Sequence, residues 1–102
     1  MTATLSGFSL TLDSRVRIPK PVLFRELSGE IVLLNTVTGK YFSLDATGAC
    51  IWQALKASGR LRDALDALLQ VFDATESQAS ADVLDLASKL CAHGLLECMA
   101  PE

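Results

Sequence analysis

Apolar and polar residues alternate along the first part of this chain and switch to helical spacing at Asp45. Ahead of the switch, Phe8, Leu10 and Leu12 alternate with Ser9 and Thr11, which predicts a short half-buried strand or an arm docking on the body. After Pro19 and Pro21, residues 22–27 are rich in β-formers, Ser28-Gly29 is a turn signal, and residues 30–35 follow as a second strand, so the pair reads as a hairpin. Thr36 to Gly39 then returns the chain into Lys40, Tyr41, Phe42, Ser43 and Leu44. The three strands predict an antiparallel meander with residues 31–35 in the middle. The last of them carries no Pro and a single charge, Lys40, so as a sheet edge it is poorly defended against pairing with another chain. Tyr41 and Ser43 share one face of that strand, and Phe42 and Leu44 the other, core-facing one.

Beyond Asp45, a fair N-cap, Gly48, Ile51, Trp52 and Leu55 recur at helical spacing until Ser58-Gly59 ends the first helix. Leu61, Ala64, Leu65, Leu68 and Phe72 form the apolar stripe of a second helix. Thr75 and Gln78 have capping-box spacing for a third, which runs to about His93 and stops at Gly94, and residues 95–97 predict a brief terminal strand. On the third helix Val83, Leu86, Ala87 and Leu90 share one side, while Leu84 and Cys91 widen the apolar arc to about 160°, beyond the roughly 100° that covering a core requires. The surplus, with Ser88 and Leu95 beside it, either lines a groove against the open edge strand or packs into the core of a small domain.

A chain of 102 residues makes one domain, and at this size folding buries enough surface for a core without staples. Half the residues are apolar and the net charge is −3, which fits a compact fold over disorder. No run is long and apolar enough to span a membrane, the N-terminus lacks signal-peptide character, and the default location is the cytoplasm. Cys50, Cys91 and Cys98 form an odd set with no CxxC pair, which fits a reducing compartment better than a disulfide framework. The cations Arg15, Arg17, Lys20 and Arg25 crowd the N-terminal quarter and read as a solvated face, with an acidic-peptide docking strip as the alternative.

Candidate chemistry is sparse. Cys91, His93 and Cys98 spell C-x-H-x4-C, with no fourth ligand and no common zinc spacing, so no metal is expected. His93 suits the last turn of its helix as a cation near the dipole's negative end. A Cys91–His93 nucleophile fails because residues two apart on a helix point to different sides. Gly39 and Gly48 lack any GxxxxGK[ST] context, so no phosphate loop, cofactor or catalytic residue is expected. A winged-helix DNA reader would need cations on its third helix, yet that helix offers Glu76, Asp82 and Asp85 against Lys89 alone, and the chain carries 12 acidic against 9 basic residues. A structural homodimer, with the open edge or the arm at residues 8–12 pairing with a second copy, is a further alternative to a monomeric peptide acceptor.

The ordered set LLN, TGKYFSLD, GACIW, RLRDALDALLQVF, ADVLDLASKL and GLLE resembles the PqqD-like proteins, the peptide-recognition elements of ribosomally made, post-translationally modified peptide pathways. The resemblance covers residues 22–97. It implies an α+β, winged-helix-like domain over residues 21–98, with a three-stranded antiparallel sheet followed by three helices, an N-terminal arm over residues 1–20 and a tail over 99–102. It further implies a non-catalytic protein that takes the leader segment of a precursor peptide as an added strand and presents it to a separate modifying enzyme such as a protease, a cyclase or a radical SAM enzyme. Carried onto this chain, the pairing strand is Lys40, Tyr41, Phe42, Ser43 and Leu44, and the groove wall is the helix bearing Leu84, Ala87, Ser88 and Cys91. The turn TVTGKYF looks more like the stand-alone elements of lasso-peptide and related pathways than the branch serving pyrroloquinoline quinone synthesis.

Overall fold

The computed structural model describes residues 10–99. Its elements run β1 (Arg15–Arg17), β2 (Val22–Leu27), β3 (Glu30–Asn35), β4 (Tyr41–Leu44), α1 (Ala46–Ser58), α2 (Leu61–Val71), α3 (Glu76–Ala92) and β5 (Glu97–Met99). Strands β2, β3 and β4 form the expected meander, antiparallel throughout and with β3 central. Ser28 and Gly29 both adopt positive φ, 45° and 86°, the pairing of turn angles whose twist suits a two-residue hairpin, and Leu27 faces Glu30 across it. Three helices follow, giving the winged-helix-like α+β architecture.

The helix ends obey the capping residues. Asp45 accepts a hydrogen bond from the Gly48 N–H at 2.9 Å, and Thr75 accepts one from Gln78 N–H at 3.1 Å. Gly59 closes α1 in the left-handed region, its N–H donating to the Leu55 carbonyl. A Cβ there would sit 2.7 Å from the Val16 carbonyl oxygen, so this glycine also lets β1 lie against the α1–α2 joint, where Val16 N–H donates to the Gly59 carbonyl at 2.8 Å. The core lies between the inner face of the sheet, with Ile31, Leu33 and Leu44, and the helical residues Ile51, Trp52, Leu61, Leu68, Val83 and Leu90, all essentially inaccessible. No helix among the described residues is long and apolar enough to cross a membrane.

The two ends of the chain differ from expectation. Phe8 lies outside the described residues, and Leu10 and Leu12 pack half-buried against the core without forming a strand, because Thr11 and Ser14 close a turn there through reciprocal hydrogen bonds. The N-terminal strand is instead Arg15–Arg17, with Val16 buried between two exposed arginines. It pairs antiparallel with β5 in a second, two-stranded sheet, Val16 opposite Cys98, and Arg17 forms an ion pair with Glu97. Leu95 and Leu96, expected to open the terminal strand, are core residues, and the strand begins at Glu97.

The cysteines also need correction. Cys91 and Cys98 form a disulfide, leaving Cys50 free. The helix stops at Gly94, whose φ of 73° turns the chain back so that β5 runs beside the last turn of α3 and brings the two sulfurs together.

Candidate functional site

Strand β4 is the edge of the meander, and its hydrogen-bond phase decides what that edge offers. Asn35 N–H donates to the Lys40 carbonyl at 2.9 Å, so the 35/40 pair is of the hydrogen-bonded kind. Alternation along an antiparallel ladder then makes Leu33/Phe42 and Ile31/Leu44 bonded pairs, and Leu34/Tyr41 and Val32/Ser43 non-bonded ones. The main-chain groups of Phe42 and Leu44 therefore face β3, while those of Tyr41 and Ser43 face outward and have no partner among the described residues. Their side chains point away from the core, and Tyr41 is 72% exposed. Phe42 and Leu44 point inward: Leu44 is buried, and the half-buried Phe42 ring packs 5.8 Å from the His93 imidazole at the end of α3.

Two local devices hold this edge in place. Asn35, a buried polar residue at the end of β3, accepts hydrogen bonds at its Oδ1 from Val37 N–H at 2.9 Å and Thr38 N–H at 3.1 Å, tying the turn into β4. Its Nδ2 donates to the Gly94 carbonyl at 2.8 Å, which fixes that turn against the end of α3. At the other end Gly48 lies in the first turn of α1, where a Cβ would meet Leu44 at 3.1 Å. The missing side chain lets α1 pack directly on Leu44.

A trough runs between the outer edge of β4 and α3. Phe42, Ser43, Leu44, Asp45 and Gly48 form one side, and Asp85, Leu86 and Lys89 the other. An adjoining hollow continues it past Thr47 and Ile51 to Asp82. Lys89 pairs with Asp85 at 3.2 Å, both well exposed. The helical side thus differs from the residues expected there. At about 100° per residue Asp82, Leu86 and Lys89 lie on one flank of the buried Val83–Ala87–Leu90 stripe, and Leu84, Ser88 and Cys91 on the opposite one. Ala87 is fully buried, Leu84 and Cys91 pack partly against the core, Cys91 is bonded to Cys98, and Ser88 is exposed. The trough therefore brings together Phe42, Ser43 and Leu44 from the sequence-predicted set, and none of Lys40, Tyr41, Leu84, Ala87, Ser88 or Cys91.

Asn35, Leu86, Asp82, Asp85 and Lys89 are the contributors that sequence reasoning passed over for this role. Asn35 carried a usable signal, since an Asn directly before a turn favours side-chain hydrogen bonds to the following amides. Among the described residues no group of three or more His, Cys, Asp or Glu is placed to hold a metal. Burial raises the Cys50 thiol above its ordinary pKa, which keeps it protonated.

Elsewhere two surface features stand out. The outer face of the sheet carries an apolar row in which Leu23, Leu34 and Tyr41 face one another across the three strands. At the start of α2, Arg15, Arg60 and Arg62 gather with Asp13 and Asp63, and Arg62 pairs with Asp13 at 2.9 Å, so the charges there are mixed.

Known proteins share this fold. Comparison with curated proteins gives no match. The solved structure of TbiB1 in complex with the TbiA(beta) leader peptide is similar at 32% identity and a TM-score of 0.77, covering 82% of this chain and 98% of that one. A lasso peptide synthetase B1 complexed with the leader peptide shares the fold at 23% identity and a TM-score of 0.72, covering 80% of this chain and 96% of that one. Residues 30–96, from the start of β3 to the last core leucine, match the family described as Coenzyme PQQ synthesis protein D, and the chain belongs to this PqqD family.

Proposed function

We propose that this protein binds the leader segment of a ribosomally synthesised precursor peptide by strand addition to β4 and hands it to a separate modifying enzyme. The observation that carries the reading is the pair of outward-turned, unpartnered residues Tyr41 and Ser43 beside an open trough on α3. Each offers one N–H and one C=O to a guest strand, and each bond made is worth about 1 kcal/mol net. Main-chain pairing supplies attraction that is indifferent to sequence, while alternate guest side chains entering the trough supply selectivity. The similarity to TbiB1, which was solved with a leader peptide bound, supports the same use of the fold here. The role assigned is binding alone, with bond making and breaking left to a protease, cyclase or radical SAM enzyme acting on the presented peptide.

The test is a titration of isotope-labelled protein with the TbiA(beta) leader peptide and with the leader encoded beside this gene, followed by amide chemical shifts. Shifts centred on Tyr41 to Leu44 and on Asp82 to Lys89 are expected. Shifts confined to Arg60 and Arg62, or none with either peptide, would refute the reading.

A further inference from the structure

The trough is charged unevenly, and the unevenness has a direction. Helix α3 runs opposite to β4, with Asp82 beside Asp45, Thr47 and Ile51, Leu86 in the middle, and Lys89 beside Phe42 and Ser43. Lys89 is answered by Asp85. Asp45 and Asp82 remain at the far end, one accepting a hydrogen bond from the Gly48 N–H and the other exposed, and the hollow they line together carries no cation. Leu86, half-buried and lining both hollows with Gly48, is the one apolar side chain that α3 contributes to this wall.

The spacing of these groups matches an extended chain. Asp82 and Leu86 are one helical turn apart, a rise of about 6 Å at roughly 1.5 Å per residue. Two residues of a strand advance about 6.6 Å and return to the same face. The sheet is antiparallel throughout, and an antiparallel guest on β4 would run from the Asp45 end toward Tyr41. Resting on the strand-addition reading, we infer that the trough selects a leader segment in which a Lys or Arg stands two residues before an apolar anchor. The anchor sits on Leu86 where it lines the trough opposite Leu44, and the cation lies between Asp45 and Asp82. Asp45 and Asp82 are then specificity-determining residues, and basic-x-apolar is the pattern they read.

A random dodecapeptide display library selected on the immobilised full-length protein tests this. Lys or Arg is expected to be enriched about fivefold two positions before the apolar anchor, as two exposed ion pairs would give. Asp45→Asn combined with Asp82→Asn should abolish that enrichment while apolar anchors are still selected, because Asn caps α1 as well as Asp does. Asp82→Lys, which sets a cation against Asp45, should likewise abolish the preference for Lys and Arg. Selected peptides should also lose binding to Tyr41→Pro, which reports on strand addition itself. Anchors enriched without a basic partner, yet sensitive to Tyr41→Pro, would overturn the charge rule and leave leader binding standing. Peptides that bind Tyr41→Pro as well as wild type, or a failure to enrich any peptide, would overturn both.

Discussion

Replacing Tyr41 separates backbone recognition from side-chain recognition, because the two substitutions Tyr41→Pro and Tyr41→Ala remove different things from the same place. The Tyr41 N–H faces away from β3, so proline there leaves the existing ladder whole and is tolerated as prolines are on edge strands. What it deletes is a donor to the guest strand, worth about 1 kcal/mol, and it leaves the guest's carbonyl facing a ring, which costs about 1 kcal/mol more. The sum corresponds to roughly a thirtyfold weaker Kd. Alanine keeps the donor and removes a ring that is 72% exposed on the outer face, so a loss of about 0.5 kcal/mol, two- to threefold, is expected. Fluorescence anisotropy with a labelled leader measures both, and thermal melts should keep each variant within about 5 °C of wild type, the shift that a change near 1 kcal/mol gives in a domain this size. An alanine loss equal to or larger than the proline loss would mean that the side chain carries recognition and that the open ladder does not.

Three further substitutions or treatments probe what holds the site. Asn35→Ala removes the donor to Gly94 and the acceptor for the Val37 and Thr38 amides, so urea unfolding should show a loss of about 3 kcal/mol and leader affinity should fall as β4 loosens. Gly59→Ala forces a β-carbon into the left-handed region and against the Val16 carbonyl, and should cost at least about 2 kcal/mol by the same measurement. Reducing the Cys91–Cys98 disulfide, which spans a sequence separation of 7, should lower stability by about 2 kcal/mol in melts with and without reductant, with no such effect in Cys98→Ser.

The parts of this fold that were legible in the sequence are those whose signal is local. Ser28-Gly29 between two β-rich runs marks the hairpin, and Asp45, Thr75 and Gly59 mark helix ends through their own hydrogen-bonding and backbone preferences. The edge at β4 was legible for the same reason, since Lys40 to Leu44 carries no proline and only one charge, Lys40, to guard an edge. Strand β1 and its pairing with β5 were not, and β5 itself was expected two residues early, because each is three residues long and its partner lies some eighty residues away, so neither carries a periodic pattern of its own. The Cys91–Cys98 link depends on the reversal at Gly94 and was equally hidden. Which flank of α3 borders β4 was not legible for a different reason. The apolar arc of that helix locates the core, but its two flanks, Asp82–Leu86–Lys89 and Leu84–Ser88–Cys91, are interchangeable until the rotation of α3 against β4 is set by packing. The flank with the greasier surplus faces away from the strand, and the flank with the acids faces it.

Amide hydrogen exchange at Tyr41 and Ser43, compared with Phe42 and Leu44, tests strand addition most directly. In the free protein the first two should exchange quickly and the last two slowly, because only the last two donate to β3. On saturation with a leader peptide, Tyr41 and Ser43 should become protected while Phe42 and Leu44 change little. Fast exchange at Tyr41 and Ser43 in a demonstrably bound complex, or slow exchange before any peptide is added, would contradict an edge left open for a guest strand.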